Sequence, residues 1–287
     1  MRADQSWIGE RAFGDDAGDL VTVTYKSHQD ALGFLNRVIV DPKGVGFLEG
    51  PPGSGKTTTA KRFAELAPRD IAIAFVNGSQ IKPRELLSRT LSQFGYDTGL
   101  ESIDGLFKML SMFANQQTRA GESPIVILDN AEDISPEVLP VLNALAALGC
   151  EERCALRLIL TGGEGLASLV QLGSMNDVAN RSVGYFQLEP MSLREALLYL
   201  HARLGACGVN NADTVFPLDV CDHLYQRSGG WPGQLNRFAV EAIGRASEFP
   251  VRGSDTYPQD DAPSSRSASS IEAVSPAPDE ADKAKPQ

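Results

Sequence analysis

The residues best equipped for chemistry stand together at Gly50-Pro51-Pro52-Gly53-Ser54-Gly55-Lys56-Thr57. Glycine, four residues, glycine, lysine and then Ser or Thr is the spacing of a phosphate-binding loop. Glycines let successive backbone N–H groups turn into one concavity, and a helix start adds its partial positive charge. Such a cup holds the phosphate oxygens of a nucleotide. Lys56 then reaches the β and γ phosphates, and the Thr57 hydroxyl ligates Mg²⁺. A phosphate loop also needs an Asp at the end of a neighbouring apolar strand to support the metal. Asp129 closes the run Pro124-Ile125-Val126-Ile127-Leu128-Asp129, so Thr57 and Asp129 form the candidate metal pair. The plainer reading of Asp129 is a strand-end or helix-cap acid.

Turnover needs one more group, to orient or deprotonate the attacking water. Asn130 follows Asp129, and an amide can orient water but cannot take its proton. Glu132 and Asp133 come next, and either can substitute if its loop turns it inward. Thr161 ends a further apolar run, Leu156 to Thr161. There it either hydrogen-bonds the γ-phosphate or water, or is a strand residue before a turn. Arg181 has two readings as well: an arginine finger reaching a neighbouring subunit's nucleotide, or a solvated surface side chain.

These residues need a scaffold, and the apolar pattern supplies one. Buried strands are predicted at 45–49, 71–76, 124–129, 156–161 and 182–188. Between them, helical spacing is predicted from an N-cap at Ser27 through Ile39, and over 57–66, 83–94, 102–119 and 136–148. Alternating strands and helices imply an α/β fold, a parallel sheet with helices on both faces. From Pro190 the pattern is helical only, at 193–204, 218–227 and 235–246. The expected organisation is a loosely ordered arm over 1–26, a nucleotide-binding α/β domain over 27–189, a small all-helical lid over 190–247 and a disordered tail over 248–287. The tail is rich in Pro and Ser and poor in large apolar residues, too little to offset the entropy of ordering.

Bulk properties narrow the classes further. With 42% hydrophobic residues in 287, the chain can bury a real core. No apolar run approaches a membrane span, and Met1-Arg2-Ala3-Asp4-Gln5 lacks a signal peptide's apolar core. The expectation is a cytoplasmic protein without direct membrane insertion, meeting a membrane only through a partner. A formal net charge of -11 speaks against broad nonspecific nucleic-acid binding, although a local basic patch is compatible with it. Four cysteines suit a reducing compartment, and Cys150 and Cys154, with no histidine close by, read as ordinary thiols rather than zinc ligands.

Taken in order, the motifs resemble those of AAA+ ATPases and, more narrowly, the general-secretion-pathway A (ExeA-like) ATPases. Gly50 to Thr58 matches the Walker A loop, and Ile71 to Gly95 is similar to the second strand and its helix. Ile125 to Ile134 stands at Walker B, and Leu158-Ile159-Leu160-Thr161-Gly162 at sensor 1. Leu188 to Leu204 resembles the entry to the lid, and Ser228-Gly229-Gly230-Trp231-Pro232 with Asn236 its last turn and helix. The resemblance covers roughly residues 25–247. It implies a P-loop NTPase fold with a helical lid, ATP and Mg²⁺ as cofactors, ATP hydrolysis to ADP and phosphate, and a homo-oligomer.

Three positions depart from the family pattern. Asn130 stands in place of the Walker B Glu, Gly163 in place of a Gln after sensor 1, and Gly233 in place of the sensor 2 Arg, with Arg237 one turn further on. Each removes a group that reads or cleaves the γ-phosphate, so hydrolysis is expected to be slow or partner-dependent. Family members in secretion also carry a transmembrane segment and a peptidoglycan-binding domain. A short polar tail stands there instead, and cell-wall binding is not expected. The resemblance implies a nucleotide-gated assembly or regulatory factor with a protein partner in a secretion, pilus or surface-polysaccharide export system. Two alternatives stand beside it. One is a DNA-associated ATPase of the transposition target-selection type, with Arg194, Arg203, Arg227, Arg237 and Arg245 on a basic lid face. The other is a nucleotide-binding scaffold without turnover.

Overall fold

The computed structural model describes residues 6–14, 23–99, 102–150 and 153–257. Among them the order begins α1 (Ser6–Phe13), α2 (Lys26–Val40), β1 (Val45–Glu49), α3 (Lys56–Leu66), β2 (Ile73–Asn77) and α4 (Pro83–Gln93). Next come α5 (Ile103–Ala120), β3 (Ile125–Asp129), α6 (Leu139–Ala146) and a short hairpin of β4 (Gly149–Cys150) and β5 (Arg153–Cys154). Then follow β6 (Arg157–Gly162), α7 (Gly165–Val170), α8 (Asn176–Asn180), β7 (Ser182–Gln187), α9 (Leu193–Ala206), α10 (Leu218–Ser228) and α11 (Pro232–Arg245).

Five strands form one parallel sheet in the order β2-β3-β6-β1-β7. Alternate residues serve opposite faces, as the pleat requires. Val126, Leu128, Leu158 and Leu160 pack with α4, α5 and α6 on one face. Ile125, Ile127 and Ile159 pack with Phe34 and Leu35 of α2 and Phe63 of α3 on the other. Double coverage explains why β3 and β6 read as unbroken apolar runs rather than alternating ones. Because β6 lies between β1 and β3, the ends of three strands meet at one edge: the loop after Glu49, Asp129 and Thr161. The carboxyl edge of a parallel sheet is where such folds place ligands.

A separate apolar cluster holds the helices of the C-terminal region, with Leu200, Leu204, Phe216, Leu224, Leu235 and Ile243 at its centre. Local signals start these helices. Ser192 and Glu195 form a capping box at α9, and Pro232 takes the first position of α11, where its missing N–H costs nothing. That proline starts α11 three residues before the predicted 235.

Several expectations change. The arm predicted over 1–26 contains α1, whose Ala12 and Phe13 are buried in the C-terminal helical cluster. Its apolar face is too short to announce itself by periodicity. The tail predicted from 248 is ordered at its start: Val251 and Thr256 are buried, and Val251 N–H donates to the Val215 carbonyl at 3.0 Å. Residues 258–287 lie outside the described residues. Ser27 is not an N-cap. The helix starts at Lys26, and the Ser27 hydroxyl accepts the Glu189 N–H at 2.8 Å, fastening the segment that follows β7.

Phe13 is 3% exposed, with its ring 5.9 Å from that of Phe216. Phe13→Ala is expected to destabilise the helical region by about 3 kcal/mol, as burial of a large ring lost to a cavity does. Chemical unfolding checks it: an unchanged midpoint means that α1 is not part of this core.

Candidate functional site

The turn between β1 and α3 needs left-handed backbone at Gly53 (φ 78°) and Gly55 (φ 90°), which glycine adopts freely. This geometry aims amides inward. Among the described residues, the N–H groups of Gly53, Gly55, Lys56, Thr57 and Thr58 have no backbone acceptor. The last three are the orphan donors of a helix's first turn. The loop is tied down by Gly50 N–H to the Gly162 carbonyl at 3.1 Å and Ser54 N–H to the Pro51 carbonyl at 3.1 Å, while Pro52 is exposed.

Lys56 is buried and lies back along the loop. Its Nζ donates to the Gly50 carbonyl at 2.7 Å and the Pro51 carbonyl at 3.2 Å. An ammonium has three N–H donors, so one remains for a phosphate oxygen. Burial lowers its pKa, and the carboxylates of Glu132 and Asp129 pull it back up. An anionic ligand fits that imbalance.

Asp129, 3% exposed, accepts from two hydroxyls. Thr57 Oγ1 donates to Oδ2 at 2.6 Å, and Thr161 Oγ1 donates to Oδ1 in a short bond. With its proton turned toward Asp129, the Thr57 oxygen has its lone pairs free for a cation. The donor set of Thr57 hydroxyl, Asp129 carboxylate and phosphate oxygens is all oxygen, as Mg²⁺ prefers. The residues present therefore fit a metal-bound nucleotide.

The remaining predicted residues separate. Asn130 lines the cavity, in the left-handed region at φ 53°, where Asn is favoured among non-glycine residues, and its Nδ2 donates to Asn77 Oδ1 at 3.2 Å. Glu132 does not line the cavity: its Oε1 accepts the Gly163 N–H at 2.8 Å, and its Oε2 is buried without a partner. Thr161 is fully buried, and its hydroxyl is spent on Asp129 rather than turned to the cavity. Arg181 sits where its carbonyl accepts the Val45 N–H, at the start of β1, roughly 16 Å of strand away from the phosphate loop. From there it does not serve the nucleotide of its own chain.

Pattern reading missed the buttress behind the loop. His28 Nε2 donates to the Ser54 carbonyl at 3.0 Å, and its ring fills the space a Cβ on Gly55 would need. Tyr25 packs beside it with its ring tilted, ring centroids 4.1 Å apart, and shares its hydroxyl proton between the Glu189 carbonyl at 3.1 Å and the Ser54 carbonyl at 3.3 Å. Burial raises the Tyr25 pKa. The Tyr25-Lys26-Ser27-His28 stretch offers no motif, so only proximity in the fold reveals it.

Over the loop lies a cavity of about 870 Å³, within the size of small-molecule sites, about 300–1,000 Å³. Its other walls come from α9 and α11, with Tyr199, Arg203, Gly233, Asn236 and Arg237, and from Glu10 and Phe13 of α1. The first turn of α11 touches the loop directly: Gly233 N–H donates to the Gly53 carbonyl at 2.8 Å. A Cβ on Gly233 would stand 2.7 Å from Gly53 Cα, so this packing leaves no room for an arginine there. Arg237, one turn on, is exposed and lies 4.7 Å from the Phe238 ring centroid.

Residues 40–170 match the family model described as "AAA domain". That stretch is similar to an AAA domain. General secretion pathway protein A of Aeromonas hydrophila is 27% identical over 234 residues, 79% of this chain and 42% of that protein. The chain thus spans less than half the length of this relative. Cdc6p of Pyrobaculum aerophilum superposes with a TM-score of 0.61 at 15% identity, over 81% of this chain and 65% of that one. The ORC2 protein of Aeropyrum pernix, in its ADPNP–ADP complexes, gives 0.57 at 17%, over 82% and 65%. Both share the AAA fold, a parallel sheet with a helical C-terminal region. The strands and loop on which the phosphate cup is built, β1 through β6, fall inside the matched span, and the α9 and α11 walls lie beyond it.

Burial lowers the His28 pKa below 6.5, against the weaker pull of its Ser54 bond. The folded state therefore favours neutral His28. Its contribution to stability is complete above the ordinary histidine value and is lost as pH falls through the lowered folded one. Thermal unfolding at pH 7.5 and 5.5 should show a larger acid loss in the native sequence than in His28→Gln, which keeps an N–H donor without the titration. Equal losses would remove His28 from the account.

Proposed function

We propose that this AAA protein is an ATP-operated switch for the assembly or regulation of an export machine, of the secretion, pilus or surface-polysaccharide kind, working in the cytoplasm with a protein partner. The observation that carries the reading is the backbone contact between Gly53 of the phosphate loop and Gly233 of α11. Whatever fills the loop lies against the first turn of that helix. Phosphates held there set how residues 190–247 sit on residues 27–189, the two units taken to move against each other. The resemblance to General secretion pathway protein A supports the choice of partner class. Among the described residues no helix is long and apolar enough to cross a membrane.

In this reading Gly50, Pro51, Pro52, Gly53, Ser54 and Gly55 shape the cup, and the amides of Lys56, Thr57 and Thr58 bind the β and γ phosphates. The free N–H of Lys56 adds a charge-assisted bond. Thr57 and Asp129 hold Mg²⁺, which when bound neutralises charge on the phosphate oxygens. Asn130 orients the water without taking its proton, and the bound triphosphate persists. Arg181 is left to a second copy's site. The DNA-associated alternative has support from fold likeness alone, against a net charge of -11.

Two substitutions test this. Lys56→Ala is expected to weaken Mg·ATP binding by about 100-fold, the scale of a lost charged hydrogen bond. Unchanged affinity by calorimetry would refute the site. Asn130→Glu is expected to raise the slow ATP turnover by about 100-fold, the lower range for general base catalysis. Turnover that stays flat in a phosphate-release assay moves the base elsewhere, with Glu132→Gln the next variant to measure.

A further inference from the structure

At the edge of the sheet away from the phosphate loop, a buried guanidinium is only partly used. Arg157 opens β6, and Gly162 at the other end of that strand holds the loop through the Gly50 N–H. At about 3.3 Å per residue the two ends lie about 16 Å apart. Arg157 is 6% exposed. Its Nη1 donates to the Val38 carbonyl at 2.7 Å and the Asp41 carbonyl at 2.6 Å. Both carbonyls stand at the C-terminal end of α2, where helical partners run out. Val38 has a particular need, because the residue four on is Pro42, which has no N–H to give. One nitrogen of the guanidinium is thereby explained as a helix cap.

The other two are not. A guanidinium has five N–H donors, so Nε and Nη2 keep three without an acceptor among the described residues. No carboxylate among those residues lies within ion-pair distance of Arg157. Burial lowers its pKa, and holding an uncompensated charge away from water is costly. Yet these nitrogens are not sealed in. Unlike Arg227 Nη1, which is shut away without a partner, they keep contact with open space. That space is a cavity of about 550 Å³, of which Arg157 forms part of the wall.

The make-up of the cavity identifies its ligand. Ile39, Pro42, Pro68 and Ile71 give it apolar walls, and its volume falls within the range of small-molecule sites, about 300–1,000 Å³. Such a pocket with a buried cation suits an apolar molecule that carries a negative charge. Nε–H and one Nη2–H run parallel, the fork that matches two oxygens of one anionic group. At the exposed rim Asp70 and Glu122 outnumber Arg153, whose Nη2 donates to the Gly121 carbonyl in a short bond. The Glu122 charge is felt at Arg157. This rim disfavours a second negative charge, which selects a carboxylate over a phosphate dianion.

We propose that this cavity is a second binding site, for a small molecule with one carboxylate on an apolar body, seated with the carboxylate on the Nε–Nη2 edge of Arg157. It stands apart from the phosphate loop and does not rest on the reading of that loop.

Ligand-observed NMR on the full chain tests it with benzoate and its neutral amide, benzamide. Benzoate is expected to bind with a Kd of about 1 mM or tighter, and benzamide at least about tenfold more weakly. Phenylacetate is expected to displace benzoate, and phenyl phosphate, a dianion at neutral pH, to displace it less well. Arg157→Lys keeps a charge for the α2 carbonyls and loses the fork, and is expected to weaken benzoate about tenfold. Glu122→Gln, at an exposed position, is expected to tighten benzoate about threefold and leave benzamide unchanged, and it decides the matter if Arg157→Lys fails to fold. No benzoate binding, equal binding of benzoate and benzamide, or benzoate affinity unmoved in the deciding variant overturns the proposal. Displacement led by phenyl phosphate overturns it as well. Lys56→Ala is the control for place: loss of benzoate there puts the probe in the phosphate cup and sinks this site, whereas benzoate kept while Mg·ATP is lost separates the two.

Discussion

Five backbone N–H groups at one turn, from Gly53 to Thr58, open on the same space without a backbone acceptor. Concentrating unpaired donors is unfavourable, and proteins do it where a ligand supplies the acceptors. Much of the surrounding architecture answers that constraint. Left-handed glycines aim the amides, the His28 ring fills the volume behind Gly55, and Asp129 gathers two hydroxyls on a single carboxylate. The sheet order is part of the same answer. With β6 inserted between β1 and β3, Thr161 sits where it can hold one oxygen of Asp129 while the other reaches Thr57 across it.

The helical region is tied to this turn rather than merely adjacent to it. Gly233 and Gly53 meet backbone to backbone, a contact that only small residues allow. The same contact explains one departure from the resembled family. A side chain at Gly233 would push α11 off the loop, so a cation for the cavity has to come from elsewhere on the helical region. Arg237 stands one turn further along the same helix, and Arg203 approaches from α9. Tyr25 reinforces the junction from the other side, sharing one hydroxyl between the loop at Ser54 and the lid entry at Glu189.

What was legible in the sequence follows from the range of each signal. Strands β1, β3 and β6 were readable because each is a short apolar run buried on both faces, and Asp129 because it ends one of them. The phosphate loop was readable because its chemistry is backbone geometry written in glycines. The Thr57–Asp129 contact, a pairing over 72 residues, could be anticipated from motif logic and is present at 2.6 Å. The fate of Thr161 was not readable, since a strand-end threonine has the same pattern whether its hydroxyl turns to a neighbouring carboxylate or to a ligand. His28 and Tyr25 were silent for a different reason. Each works through a partner at least one element away, and no spacing along the chain encodes that. Helix α1 escaped because eight residues hold barely two turns of periodicity.

The proposed slowness of turnover can be argued from the carboxylates near the cup. A general base must be free to take a proton. Asp129 accepts from two threonine hydroxyls, and Glu132 is turned to the Gly163 amide and away from the cavity. The residue that does face the cavity after Asp129 is Asn130, held in a left-handed conformation that suits Asn better than Glu. Backbone and chemistry thus agree at this position: the conformation that turns the side chain toward Asn77 favours an amide, and an amide leaves the water's proton in place. In the proposed reading, a site built in this way binds a nucleotide more readily than it consumes it. For a switch, that difference is what gives the bound state a lifetime in which a partner can recognise it.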